Sequence, residues 1–476
     1  MKMLLIDTGY FNYELNEPLG IETIYSFLNN TYGDEIEIDL IYTLVDEGFI
    51  LRDIYDAVFI SGNFNDDGML HEVINFYSES NFKPLIVVGG VYATLSPETL
   101  LDMYENIICI IGEGEISSVQ IIEMLLTSKE PVNFAQVNNA AYICDGEVVH
   151  TPRKILDLGT IHHLPYRKYL KGIIDNGGLV RLEASRGCDW NACSFCIVKW
   201  KYGNKKRRCY PMDRVINDIV FLSNNGAKIV YFTDEEFISF DYDRVTEFCD
   251  EIIRLKQSRI VSGDMQFFAS TSALCVCALS KKHESLLKKL KDAGFRGFFI
   301  GIESGSETQL KRYNKGATAQ ENIQALRLLN KYGFFVDIGF IMFDPAMSLN
   351  ELTETLDFIQ TSDLYSTTSR LIKELRLLQN TSYFETYAKT VCAEKLNPAD
   401  LSYEYKFTDV TVRKLFSDIS HSELLERAYK LQGEIRSADK IDAAYLEELI
   451  KIRKLEVTVL QDKVSDEKKV VNCGEG

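Results

Sequence analysis

Arg186-Gly-Cys-Asp-Trp-Asn-Ala-Cys-Ser-Phe-Cys196 is the stretch from which the rest of this chain is best read. Three cysteines, Cys188, Cys193 and Cys196, lie directly after an apolar, strand-like run from Leu179 to Ala184. A compact cysteine cluster without a secretory leader points to metal chemistry rather than disulfides. Three thiolates are one short of a closed tetrahedral zinc site. They suit a 4Fe–4S cluster with three cysteine-bound irons and one open iron. An open iron can take a small molecule through its amine and carboxylate. The zinc reading would need a fourth ligand, such as Cys209, His162 or His163, and the spacing alone leaves both readings open.

The 476 residues suffice for two or three domains and a large core. Hydrophobic content of 46% and charged content of 26% are those of a soluble globular protein. No apolar run approaches the ~18–20 residues of a membrane span. The start, Met1 to Asp7, meets an acid too early for a signal peptide and reads as a first strand. Eleven cysteines, scattered outside the cluster, fit a reducing cytoplasm. The net charge of -18 repels polyanions and argues against nucleic acid as the main partner. Lys199, Lys201, Lys205, Lys206, Arg207 and Arg208 break that trend just after the cysteines. They read either as a solvated loop or as a docking patch for an anionic substrate or an acidic electron carrier.

Residues 1–150 alternate strand and helix patterns, which implies a doubly wound parallel sheet. Gly89-Gly90 follows a strand, where such sheets bind ligands, although a glycine pair is also a common tight turn. Ala141–Ile143 and Val148–His150 can form a hairpin around Asp145-Gly146, at the start of the connection to the next domain. Residues 151–178 form a connector. From 179 to 387 the alternation resumes, with strands expected at Val180–Ala184, Ile229–Thr233, Gln266–Ser270, Gly297–Ile302, Phe335–Met342 and Arg370–Leu377. Six βα units predict an open, partial barrel with its chemistry at the C-terminal strand ends. Residues 388–476 read as a helical region. Leu424, Ala428 and Leu431, then Tyr445, Leu449 and Ile452, give amphipathic spacing, and the polar end from Val464 is expected to fray.

The cysteine loop, with Phe195 before its last cysteine, resembles the radical S-adenosylmethionine (SAM) superfamily. Leu290-Lys-Asp-Ala-Gly-Phe295 and Phe299-Ile-Gly-Ile-Glu-Ser-Gly-Ser306 look like that superfamily's helix and fourth strand. Asn314-Lys315-Gly-Ala-Thr318 matches the turn after it, and Asp337 to Pro345 the fifth strand and its loop. Tyr231-Phe-Thr-Asp-Glu-Glu236 sits where the second strand ends in acids. Pro18-Leu-Gly-Ile21, Gly89-Gly-Val-Tyr-Ala-Thr94 with Pro97-Glu98, and Gly112-Glu-Gly-Glu115 are similar to the branch with an N-terminal cobalamin-binding domain. The cysteine gaps are four and two residues where the family has three and two, and Phe343-Asp344-Pro345 stands where the family usually carries glycine before proline. None of the six histidines lies in the Asp-x-His-x-x-Gly context that supplies a lower cobalt ligand.

The resemblance implies an α/β fold: a Rossmann-like parallel sheet, a partial (β/α)6 radical SAM barrel and a helical C-terminal region. It implies a 4Fe–4S cluster on Cys188, Cys193 and Cys196, SAM at Glu303, Ser304 and Glu235, and cobalamin at Gly89, Gly90, Ala93, Thr94, Gly112 and Gly114. The implied reaction is reductive cleavage of SAM and activation of an inert C–H bond, with cobalamin-dependent methylation of a small molecule or peptide. Rearrangement, ring formation or tRNA modification without cobalamin are alternatives, as is a non-enzymatic iron–sulfur or zinc protein. The implied electron donor is an acidic carrier such as a flavodoxin or ferredoxin.

Overall fold

The structure is a computed structural model and describes residues 1–9, 15–46, 48–52, 54–63, 68–128, 131–367, 369–397, 400–437 and 443–474. The N-terminal sheet runs β1 (Lys2–Asp7), β2 (Glu37–Tyr42), β3 (Ala57–Gly62), β4 (Leu85–Gly89), β5 (Ile107–Ile110), β6 (Ala140–Cys144) and β7 (Glu147–His150), in spatial order β2-β1-β3-β4-β5-β6-β7. The first five strands are parallel, and β6 and β7 add an antiparallel edge. The hairpin around Asp145-Gly146 therefore belongs to this sheet. Successive residues serve opposite faces: Met3 and Leu5 enter one core, Leu4 and Ile6 the other. Such two-sided burial is what a parallel sheet between helices requires. The first of these cores continues into the second half of the molecule, where Leu182, Phe267 and Phe295 belong to it.

The second sheet starts with β8 (Val180–Leu182). A short antiparallel pair, β9 (Ser185–Arg186) and β10 (Arg208–Cys209), brackets the cysteine loop. The sheet then continues with β11 (Ile229–Phe232), β12 (Gln266–Ser272), β13 (Phe295–Glu303) and β14 (Phe335–Phe340), parallel and in sequence order. Helices cover the outer face, as expected of a partial barrel. Two of them begin with full capping boxes, Thr318 with Glu321 and Ser348 with Glu351, which satisfy orphan N–H groups at their starts.

The expected sixth strand, Arg370–Leu377, is reduced to one parallel bridge between Phe343 and Glu374. The amides of Phe343 and Leu375 pair across it, donating to the carbonyls of Lys373 and Phe343. The C-terminal helices pack as the spacing predicts, with Ala428, Leu449 and Ile452 in one cluster. The side chain of Tyr445 lies outside the described ones. The end does not fray at Val464: helix Ala443–Gly474 continues through it, because Val464 is buried.

Candidate functional site

The cysteine loop leaves the first barrel strand at its C-terminal end and is tied on every side. The Gly187 N–H donates to Glu235 Oε2 at 3.0 Å. Trp190 Nε1 donates to the Asn314 carbonyl at 2.7 Å, and Asn314 Nδ2 returns a bond to the Ala192 carbonyl at 3.0 Å. The Ser194 amide donates to Tyr313 O and its carbonyl accepts from the Tyr383 amide, both at 2.8 Å. The extra residue in the first gap is absorbed by a turn at Asn191, whose φ of 46° is left-handed and tolerable for asparagine.

All three cysteines are partly exposed, free thiols. Burial pushes them up, Cys193 to about 12 and Cys196 to about 11, while Lys315 pulls all three down and the thiols sense one another. The sulfurs therefore share one neighbourhood and one nearby cation. The fourth ligands that zinc would recruit lie elsewhere. Cys209 is surrounded by Arg207, Arg244, Asp234 and Asp241. His162 pairs with Asp213 at 3.2 Å, and His163 packs on Phe27. Among the described residues no three His, Cys, Asp or Glu side chains are arranged to hold a single metal ion. Three cysteines sharing Lys315 as a neighbour match the three cysteine-bound irons of a 4Fe–4S cluster in number.

Glu303 ends β13 with a φ of 65° at a register shift in the sheet. A left-handed glutamate is strained, and such strain gathers at functional sites. Its carboxylate pairs with Lys315 at 3.1 Å, both side chains being nearly buried. Burial opposes the Lys315 charge, but Glu303 and Cys193 outweigh it and hold the ammonium above its ordinary value. The pair occupies space kept open by glycines. A Cβ on Gly301 would lie 2.6 Å from both Glu303 Oε1 and Lys315 Nζ, and one on Gly339 3.3 Å from both Glu303 oxygens.

The other expected SAM residues have different surroundings. Ser304 is fully buried, and its hydroxyl is engaged by Gln309, by Thr355 and by the Ser306 amide. Glu235 clamps the loop, accepting from Lys201 Nζ at 3.1 Å and Tyr202 Oη at 2.8 Å as well as from Gly187. Asp234 accepts from the Ala184 amide at 3.0 Å and from Ser185 Oγ, and burial pushes its carboxyl up to about 7. Glu236 accepts from Thr271 Oγ1 at 2.8 Å and lies close enough to Cys188 to raise its thiol.

A cavity of about 240 Å³ opens where the two sheets meet. Gly89, Gly90, Gly112 and Gly114 line it at the C-terminal ends of β4 and β5. The opposite wall comes from the barrel: Glu183, Arg186, Lys201 and Tyr202. Ala93 and Thr94 are buried behind it. Thr94 Oγ1 accepts from the Gly112 amide at 2.9 Å and donates to the Gly90 carbonyl at 2.7 Å, so it joins the two glycine turns. No histidine is among the lining residues. Arg186 crosses the junction to Glu113 at 3.0 Å and Glu115 at 2.7 Å. Sequence reasoning missed Lys315, Arg186 and Tyr202 as site residues, and read Lys201 as part of a solvated loop or docking patch rather than as a partner of Glu235. Their positions depend on loop packing, and no local pattern carries that.

Residues 182–359 match the radical SAM superfamily. Over 330 residues the chain is 30% identical to 4′-phospho-dehydrooxetanocin synthase of Priestia megaterium, a match covering 65% of this chain and 43% of that protein. It is 26% identical over 345 residues to the hopanoid C-3 methylase of Methylococcus capsulatus, covering 69% of this chain and 61% of the methylase. The chain thus spans less than two thirds of the length of these curated relatives. OxsB, solved as a cobalamin-dependent S-adenosylmethionine radical enzyme with aqua-cobalamin and S-adenosylmethionine bound, superposes with a TM-score of 0.81 over 97% of this chain and 71% of its own, at 22% identity. The radical S-adenosylmethionine methyltransferase TsrM from Kitasatospora setae, solved with cobalamin and a 4Fe–4S cluster, gives 0.65 over 83% of this chain and 76% of its own, at 16% identity. At these identities the likeness is one of fold. Residues 182–359 thus carry a radical SAM domain, and with the sheet that precedes it the chain shares the fold of these two solved enzymes.

Proposed function

We propose that this chain is a cobalamin-dependent radical SAM enzyme that activates an inert C–H bond of a small molecule or peptide and methylates carbon. One observation carries the reading: a single cavity takes one wall from the glycine turns of the N-terminal sheet and the other from the residues flanking the cysteine loop. A cofactor held there lies beside the cluster loop. When bound, the cluster supplies the electron that cleaves SAM, and cobalamin supplies the methyl carrier.

The chain's own residues do the rest. Cys188, Cys193 and Cys196 hold the cluster. Glu303 and Lys315 offer one acceptor and one donor to the polar ends of SAM, beneath the glycine pair that keeps the space open. Glu235 fixes the loop from behind. Gly89 has no atom within 4 Å of where a Cβ would stand, so a flat ring can lie on its backbone. The lining residues include no histidine that would coordinate cobalt, so a cobalamin bound here would be held by the backbone of the glycine turns. Lys199, Lys205 and Lys206 are exposed, whereas Lys201, Arg207 and Arg208 are engaged with Glu235, Ser185 and Glu113. The three exposed lysines form the face for an acidic electron carrier.

The test is anaerobic reconstitution followed by iron, sulfide and cobalamin analysis. One 4Fe–4S cluster, SAM-dependent 5′-deoxyadenosine and retained cobalamin are expected. Changing all three cysteines to Ala removes the first two. Gly89→Leu removes only cobalamin. It is preferred to a change at Gly90, where φ is 85° and a Cβ would lie 2.5 Å from the Gly62 carbonyl oxygen. A cluster surviving the triple change overturns the ligand assignment. Radical chemistry without cobalamin retention replaces methyl transfer by rearrangement or ring formation.

A further inference from the structure

The inner face of the barrel sheet is layered. Strand register puts Arg181, Tyr231, Phe268, Gly297 and Phe335 in one row. The next row up holds Ser270, Phe299 and Asp337, and the row above it Ser272, Gly301 and Gly339. Glu303 closes the top. Their sequence neighbours on the other face, such as Phe267, Phe298 and Ile338, are buried against the helices. The inner face is different. Phe299 is 45% exposed and Phe335 37%.

Aromatic side chains line this face as a shelf. Tyr231 and Phe268 stack at 5.1 Å with 15° between their planes. The Phe268 ring edge then lies over Gly297, 2.9 Å from where a Cβ would be, with Phe335 on the other side. The Phe299 ring reaches up to Gly339, 3.2 Å from its Cβ position, beside the Glu303 carboxylate. Phe299 is thus the ring that borders the Glu303–Lys315 site. Glycines at 297 and 339 leave room for the edges of the Phe268 and Phe299 rings.

We propose that this shelf binds the substrate, and that the substrate carries a planar, weakly polar aromatic or heteroaromatic ring. The proposal rests on the radical SAM reading, because that reading puts the reacting centre at Glu303. Flat aromatic walls favour offset stacking of a second ring over an extended chain. Asp337, whose carboxylate accepts from Ser369, lies beside Phe299 in the same row, and Glu303 is neutralised by Lys315. Arg181 stands at the far end of the ring row, one strand beyond Tyr231.

The test uses the reconstituted holoenzyme with SAM, under anaerobic conditions, and three probes: indole, octan-1-ol and ribose 5-phosphate. Calorimetry should show saturable binding of indole that neither of the others displaces. Phe299→Leu keeps apolar bulk but removes the ring beside Glu303, and should weaken indole roughly tenfold. Phe299→Tyr should retain it. Indole affinity unchanged from the parent in Phe299→Leu, or preferential binding of octan-1-ol or ribose 5-phosphate, overturns the proposal. Iron content and 5′-deoxyadenosine release on the same samples report the radical chemistry separately. Their absence with indole bound would fell the functional reading and leave the shelf standing.

Discussion

Glu303 and Lys315 share a nearly buried ion pair that fills the space left by Gly301 of β13 and Gly339 of β14. Glu303→Gln keeps the shape and removes the charge-assisted half of its hydrogen bonding. SAM affinity should fall roughly tenfold, with the cluster spectrum unchanged. Unchanged affinity in a binding titration would make Glu303 a counter-ion to Lys315 and nothing more. Glu22 offers a second residue-scale test. It is fully buried, accepts from the Tyr169 amide at 3.1 Å, and is pushed up to about 8 by burial and then by Glu17. The folded state keeps a proton that the unfolded chain loses near its ordinary value, so stability falls as pH rises from about 4.5 to about 8. Glu22→Gln mimics the protonated form and should flatten that decline. Urea denaturation at both ends of the window should show a difference on the order of 3 kcal/mol between the two proteins' losses of stability.

Among the elements, β13 combines two kinds of glycine. Gly301 has ordinary backbone angles, and only the Glu303–Lys315 pair blocks a methyl there. Gly305, just beyond the strand, faces the Phe358 side chain, whose Cβ lies 2.1 Å from where an added methyl would stand. Gly301→Ala should therefore displace the ion pair and weaken SAM, with the melting temperature little changed. Gly305→Ala should destabilise the fold by overpacking, typically about 1–3 kcal/mol. Calorimetry and SAM titration on both variants separate the two effects, and a reversed pattern would contradict the geometry. Elements were also the most legible scale. Periodicity located the described strands of both sheets, because two-sided burial leaves apolar runs in β1, β3, β4 and β5 and one-sided burial leaves alternation in β12. It overestimated Arg370–Leu377, an alternating segment that pairs through one bridge only.

At the scale of the molecule, Arg167 pins the halves together. It is completely buried, with Glu17 and Asp218 each at 2.7 Å, and it donates to the Arg181 carbonyl at 2.7 Å. One residue thus joins the N-terminal domain, the connector, a barrel helix and the first barrel strand. Arg167→Met leaves two carboxylates buried without their cation, which costs about 3–5 kcal/mol. The expected result is a lower melting temperature and protease cutting in the connector, together with weaker cobalamin retention, since the cavity lies between the halves. A variant that melts like the parent would show that the continuous apolar core, not this ion pair, fixes the two sheets.

The sequence by itself determined the chemistry-bearing loop, the two sheets and the placing of the glycine turns at strand ends. These are local: cysteine spacing, alternating burial and turn geometry need no distant partner. Only the tertiary structure decided which side chains surround those features. Lys315 meets the thiols and Glu303 because a turn after β13 folds back over the cysteine loop. Arg186 and Tyr202 meet the glycines of β4 and β5 because the two sheets share a core. Ser304, adjacent to Glu303, is turned inward by partners five and fifty-one residues away. Contacts of that range depend on how elements pack, and packing is set by the summed burial of the whole chain.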